Sequence, residues 1–139
     1  METMLTSELR SRLVQLALEA RKQAYAPYSN YRVGAALVTS TGRFFTGANV
    51  ENAAYPTSIC AERVAVFKAV SEGEREFVAL AVVTVNGGTP CGACRQVLAE
   101  FGLGTVVLIA DGEGDLKQET RVSELLPGAF GPGDLGKGV

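Results

Sequence analysis

Three cysteines carry most of the chemistry open to this chain. Cys91 and Cys94 stand in "TPCGACRQV", and Cys60 lies upstream in "SICAERVAV". The sequence contains no histidine. A C-x-x-C pair in a reducing compartment can work as a redox couple, which leaves Cys60 without a part. Three unconnected thiols would be packing alone, because free cysteine is commonly buried. A shared metal is the third arrangement, and soft thiolates suit Zn²⁺. Structural zinc sites are normally closed by four protein ligands. With neither a fourth cysteine nor a histidine, this site would keep a position open, which is the catalytic arrangement.

An open metal position calls for a group that moves protons. Glu62 follows Cys60 in "CAER", one helical turn or less from the thiol. A carboxylate there can take a proton from bound water and deliver it elsewhere. Its plainer role is to complement a helix N-terminus. Three thiolates also overcompensate the zinc charge. Arg63 is placed to offset the excess, helped by helix N-termini carrying about half a positive charge each. Arg95, beside Cys94, is a second cation to which the sequence assigns no role.

The elements around these residues alternate. Leu9, Leu13, Leu16 and Ala20 recur at helical spacing behind the possible caps Thr6 and Ser7. Pro27 marks the end of that helix or the turn beyond. "RVGAALVTS" and "RFFTGANV" read as strands joined at Thr41-Gly42. Residues 51–58 read as a loop. A second helix runs from the possible caps Thr57 and Ser58 to a stop at Gly73. "FVALAVVTV" and "TVVLIA" are apolar enough for buried strands, and the helix of Cys94, Val97, Leu98 and Phe101 lies between them. "DGEGD" reads as a turn, residues 119–122 as a weak strand and "SELL" as a short helical piece. A hairpin followed by alternating helices and strands implies an α/β fold, one sheet covered by helices on both faces. All three cysteines then fall at helix starts. There the thiolate form is favoured.

Length and charge exclude several classes. The 139 residues suit one domain, 1–139, with about 131–139 as a loose Gly-rich tail. A net charge of −2 offers no basic footprint for nucleic acid. No apolar run approaches the roughly 20 residues of a membrane span. The N-terminal residues lack the apolar stretch of a signal peptide. A cytoplasmic protein with reduced thiols is expected.

"CAE" followed by "PCGAC" resembles the zinc signature of the cytidine deaminases, in the small form with three cysteine ligands. "YAPYSNYRVGAAL", "GANVENAAYP", "CAERVAVFKAVSEG", "PCGACRQVLAEFG" and "ELLPGAFGP" also resemble family segments, in the family's order. The resemblance implies a three-layer α/β/α sandwich around a mixed five-stranded sheet. It implies one Zn²⁺ per chain on Cys60, Cys91 and Cys94, whose bound hydroxide attacks C4 of cytosine while Glu62 moves protons. The products would be uridine or 2′-deoxyuridine and ammonia, in pyrimidine salvage. Asn49 and Glu51 would hold the ribose 3′-hydroxyl, although both also suit a plain turn. The Ala61 backbone N–H would bind the pyrimidine O2, and carbonyls near Thr89 and Pro90 would accept from the 4-amino group. Ala53, Tyr55 and Phe130 fall at site positions. Tyr31 stands where family members often carry phenylalanine; its face can stack, but its hydroxyl needs a partner. A homotetramer with sites shared between subunits is implied, with a nucleoside as the small-molecule partner. Related chemistry on modified nucleosides or nucleic acid, and a zinc-stabilised binding module without catalysis, are the competing functions.

Overall fold

The structure is a computed structural model, and it describes residues 3–137. Helix α1 (Ser7–Arg21) starts where Thr6 Oγ1 accepts from the Leu9 N–H at 3.1 Å. Strands β1 (Gly34–Thr39) and β2 (Phe44–Ala48) form the expected hairpin. Helix α2 (Ala61–Ser71), β3 (Phe77–Val83), α3 (Gly92–Phe101), β4 (Val106–Ala110), β5 (Leu116–Arg121) and the single turn α4 (Val122–Leu125) follow. The sheet order is β2-β1-β3-β4-β5. Only β3 and β4 run parallel; the other neighbours are antiparallel, so the sheet is mixed.

The continuous apolar runs of β1, β3 and β4 have a physical reason. Successive side chains point to opposite faces, and both faces are covered. Ala36, Val38, Ala81, Val83 and Leu108 meet Leu13 and Ala17 of α1 on one face. Ala35, Leu37, Leu80, Val82 and Ile109 meet Ala61, Ala65 and Val66 of α2 and Leu98 of α3 on the other. Edge strand β5, "LKQETR", buries only Thr120, which is why its sequence signal is faint. It begins three residues earlier than expected, at Leu116, and Val122 belongs to α4.

The start of α2 also differs from expectation. Thr57 and Ser58 do not cap it; residues Tyr55–Thr57 form a 3-10 turn and Cys60 is the N-cap. Both hydroxyls are spent inside the loop. Thr57 Oγ1 donates to the Ala54 carbonyl at 2.7 Å, and Ser58 Oγ accepts from the Asn52 N–H at 3.0 Å. In the C-terminal segment, Pro132–Leu135 form a 3-10 turn in which Asp134 accepts from the Gly131 N–H at 2.8 Å.

Close packing sets where α2 can lie. A Cβ at Gly47 of β2 would sit 2.4 Å from the Ala61 carbonyl oxygen and 2.8 Å from the Ala65 nitrogen. The obstacle is backbone and cannot swing away. Gly47→Ala should therefore destabilise the protein by about 1–3 kcal/mol, the usual range for overpacking. The urea unfolding midpoint measures this, and an unchanged midpoint would show that α2 yields freely.

Candidate active site

Two helix starts meet at one end of the sheet. Cys60 is the N-cap of α2 and Cys91 the N-cap of α3, both in extended backbone, and no side chain caps either helix. Cys94 lies in the first turn of α3 and is fully buried. The three Sγ atoms lie within 4.8 Å of one another. Cys60 and Cys91 are 3.8 Å apart, Cys91 and Cys94 3.5 Å. A zinc ion with Zn–S bonds of about 2.3 Å and tetrahedral angles needs edges of about 3.8 Å. The two short edges are close to that value, and the trio fits a zinc ion.

The electrostatics agree with an anionic centre. The Cys60 thiol is held down to about 5, first by its bond with Cys94 and then by Arg63. The Cys94 thiol is pushed up by the same bond with Cys60 and by burial. Arg63 Nη2 donates to Cys60 Sγ at 3.2 Å, which favours the charged guanidinium. Arg63 Nε is buried with no partner among the described residues. Glu62 is only 4% exposed. Burial pushes its carboxyl up to about 7, with the Cys60 charge adding to the effect.

A cavity of about 530 Å³ opens over this centre, within the usual range of small-molecule sites. Cys60, Glu62, Arg63 and Cys91 form one end, and Tyr31, Asn49, Glu51, Tyr55 and Thr89 reach it from loops. The 49–51 segment is fixed beside Cys60 by backbone pairing of Val50 with Ile59 and of Tyr25 with Asn49 and Glu51. Asn49 is buried and turned into this scaffold. Its Oδ1 accepts from the Val33 N–H and its Nδ2 donates to the Tyr31 carbonyl, both at 2.8 Å. Glu51 accepts from the N–H groups of Tyr28 and Ser29 and from the Ser29 hydroxyl, which holds its carboxyl below the usual range.

Other residues singled out from sequence lie elsewhere. Ala61 is buried beneath the site at the start of α2. Ala53 is exposed and does not line the cavity, and neither does Pro90. Phe130 is 57% exposed and stands outside its own chain's cavity. The Tyr31 hydroxyl has found a partner: it donates to Asn86 Oδ1 at 2.7 Å. Sequence reasoning missed Ser29, Thr84 and Asn86. Thr84 Oγ1 accepts from the Gly88 N–H at 2.6 Å and so shapes the loop before Cys91. A Cβ at Gly88 would lie 2.5 Å from the Tyr31 hydroxyl, so a larger residue there would have to displace that hydroxyl. No motif marks the Tyr31–Asn86 and Ser29–Glu51 contacts, because each joins segments far apart in the chain.

Residues 7–110 match the family model described as the cytidine and deoxycytidylate deaminase zinc-binding region. A cytidine deaminase of Sporosarcina psychrophila is 52% identical over 127 residues, covering 89% of this chain and 93% of that protein. The crystal structure of cytidine deaminase from Burkholderia pseudomallei superposes with a TM-score of 0.83 at 48% identity, over 91% of this chain and 100% of that one. The cytidine deaminase of Mycobacterium tuberculosis superposes with a TM-score of 0.76 at 40% identity, over 86% and 95% respectively. The region matched by the family model spans all three cysteines and Glu62 as well as β1, β2, β3 and β4 of the sheet. This chain belongs to the zinc-binding cytidine deaminases.

Proposed function

We propose that the protein hydrolyses cytidine and 2′-deoxycytidine to uridine and 2′-deoxyuridine, releasing ammonia, as a step of pyrimidine salvage. One observation carries the reading: a buried carboxyl, Glu62, lines the same cavity as Cys60 and Cys91 of a three-thiol cluster that has no fourth Cys, His or carboxylate ligand among the described residues. When bound, zinc supplies a Lewis acid that makes water nucleophilic near neutral pH. Cys60, Cys91 and Cys94 hold the metal. Glu62 takes the proton from the attacking water and delivers it to ring N3. It then takes the proton of the hydroxyl added at C4 and passes it to the 4-amino group, so that the C4–N bond breaks, ammonia leaves and the C4 carbonyl forms. A carboxyl held near 7 both accepts and donates at neutral pH. Arg63 offsets the thiolate charge through its bond to Cys60.

The Ala61 backbone N–H, at the start of α2, serves the pyrimidine O2. Of the two carbonyls proposed for the 4-amino group, that of Pro90 already accepts from Arg95 at 2.7 Å. Thr89, which lines the cavity, is the freer acceptor. Tyr31 and Tyr55 supply aromatic faces, and Ala53 borders the loop that carries Tyr55. Asn49 and Glu51 are oriented by their loop bonds and keep spare capacity. One amide N–H of Asn49 and the remaining lone pairs of Glu51 suit a ribose 3′-hydroxyl. Phe130, exposed and away from its own cavity, supports a homotetramer in which it closes a neighbour's site.

The ribose contact sets the substrate class. A site built to bond a hydroxyl is left with unpaired polar groups when that hydroxyl is missing. Free cytosine should be a poor substrate, and Asn49→Ala should lower kcat/KM for cytidine far more than for cytosine. Equal losses on both would remove Asn49 from the ribose.

A further inference from the structure

Arg95 follows Cys94 on α3, yet its guanidinium does not turn to the thiols. It reaches three oxygens instead. Nε donates to the Pro90 carbonyl at 2.7 Å, Nη2 to the Thr89 hydroxyl at 2.9 Å and Nη1 to the Leu125 carbonyl at 2.7 Å. Thr89 lines the cavity, and Pro90 follows it in the loop that leads into Cys91. Leu125 ends α4, after which residues 126–130 form neither helix nor strand. The neighbouring side chain holds the far end of that segment: Gln96 Nε2 donates to the Phe130 carbonyl at 2.8 Å. Two consecutive residues of the metal-bearing helix thus secure both ends of the arm that carries Phe130.

The geometry points to Arg95 as a positioning residue that ties each subunit's metal-binding loop to its Phe130 arm. The inference rests on the shared-site reading above, in which that arm completes a neighbouring site. The residue type suits the task. A guanidinium is a planar fork with donors on three nitrogens, so it can bond three oxygens in fixed directions while staying charged. A lysine ammonium is a point charge on a flexible stem and cannot span them. Arg95 consequently serves two sites, its own through Thr89 and Pro90 and its neighbour's through Phe130.

The two effects separate in mixed assemblies. Tagged wild-type subunits are co-assembled with an excess of Glu62→Ala/Arg95→Gln subunits, and the mixed species are captured by the tag. Every active centre then has an intact metal loop, but the arms around it come mostly from Arg95→Gln chains. KM for cytidine should rise about tenfold, the scale of one charge-assisted hydrogen bond lost, with kcat and zinc content per wild-type subunit unchanged. The reference is the same assembly made with Glu62→Ala alone. Arg95→Lys in the same design should shift KM in the same direction, and it replaces the Gln variant if that chain does not assemble. A parallel assembly with Glu62→Ala/Phe130→Ala subunits separates the two ideas. If Phe130→Ala arms raise KM and Arg95 arms do not, the role of Arg95 is refuted while shared sites stand. If neither raises KM, the shared-site reading fails and the role of Arg95 falls with it.

Discussion

Glu62→Gln should retain zinc and fold while losing cytidine turnover by about 10⁴-fold or more. Positioned general acid–base groups are typically worth about 10²–10⁴, and Glu62 is asked to serve the water, ring N3 and the departing amine in turn. Glutamine keeps the shape of the side chain but cannot carry the proton between them. The fold should tolerate the change for the same reason that the carboxyl is poised. Glu62 is 4% exposed, and burial already works against its charged form. A neutral amide in that place avoids the cost of a buried charge. Zinc should stay because the three thiols make the site without Glu62. Metal analysis, thermal unfolding and cytidine turnover on the same sample check all three statements. A loss below tenfold would assign the proton transfers to another group.

Cys94→Ala should abolish tight zinc binding and activity together. Cys94 is fully buried at the start of α3, and its sulfur closes the triangle with Cys60 and Cys91. Two thiols and no histidine cannot make a tight zinc site in this chain. The variant should also lose the stability that zinc contributes, because metal binding energy held only by the folded state adds to folding. Zinc per chain, melting temperature with and without a chelator, and turnover provide the measurement. Full activity in protein shown to be metal-free would end the zinc account.

The sequence was most informative where local pattern and tertiary need coincide. The Leu9, Leu13, Leu16 and Ala20 spacing marks α1, and Leu13 lies in the core it builds. The buried runs of β3 and β4 are apolar because both sheet faces are covered, so they stand out without any motif. Edge strand β5 has no such reason to be apolar and was only partly readable. The α2 start was misplaced because Thr57 and Ser58 look like caps, whereas their hydroxyls serve the preceding loop. At the site, the cysteines and Glu62 were visible because metal chemistry demands particular residue types at short spacing. The supports were not. Tyr31 meets Asn86 across 55 residues, and Arg95 meets Leu125 across 30. Such contacts depend on where loops close in space, which no local pattern encodes. Phe130 is legible from neither source as part of its own site, because its own cavity does not contain it.

The most direct measurement combines substrate, product and metal in one sample. Purified protein of known zinc content is incubated with cytidine, and the loss of the cytosine spectrum is followed alongside released ammonia. One zinc per chain and one ammonia per uridine formed are the predicted results, with 2′-deoxycytidine also consumed and adenosine left intact. Zinc-loaded, folded protein that releases no ammonia from any cytosine or adenine nucleoside would contradict the account. It would leave the three thiols as the clip of a binding module.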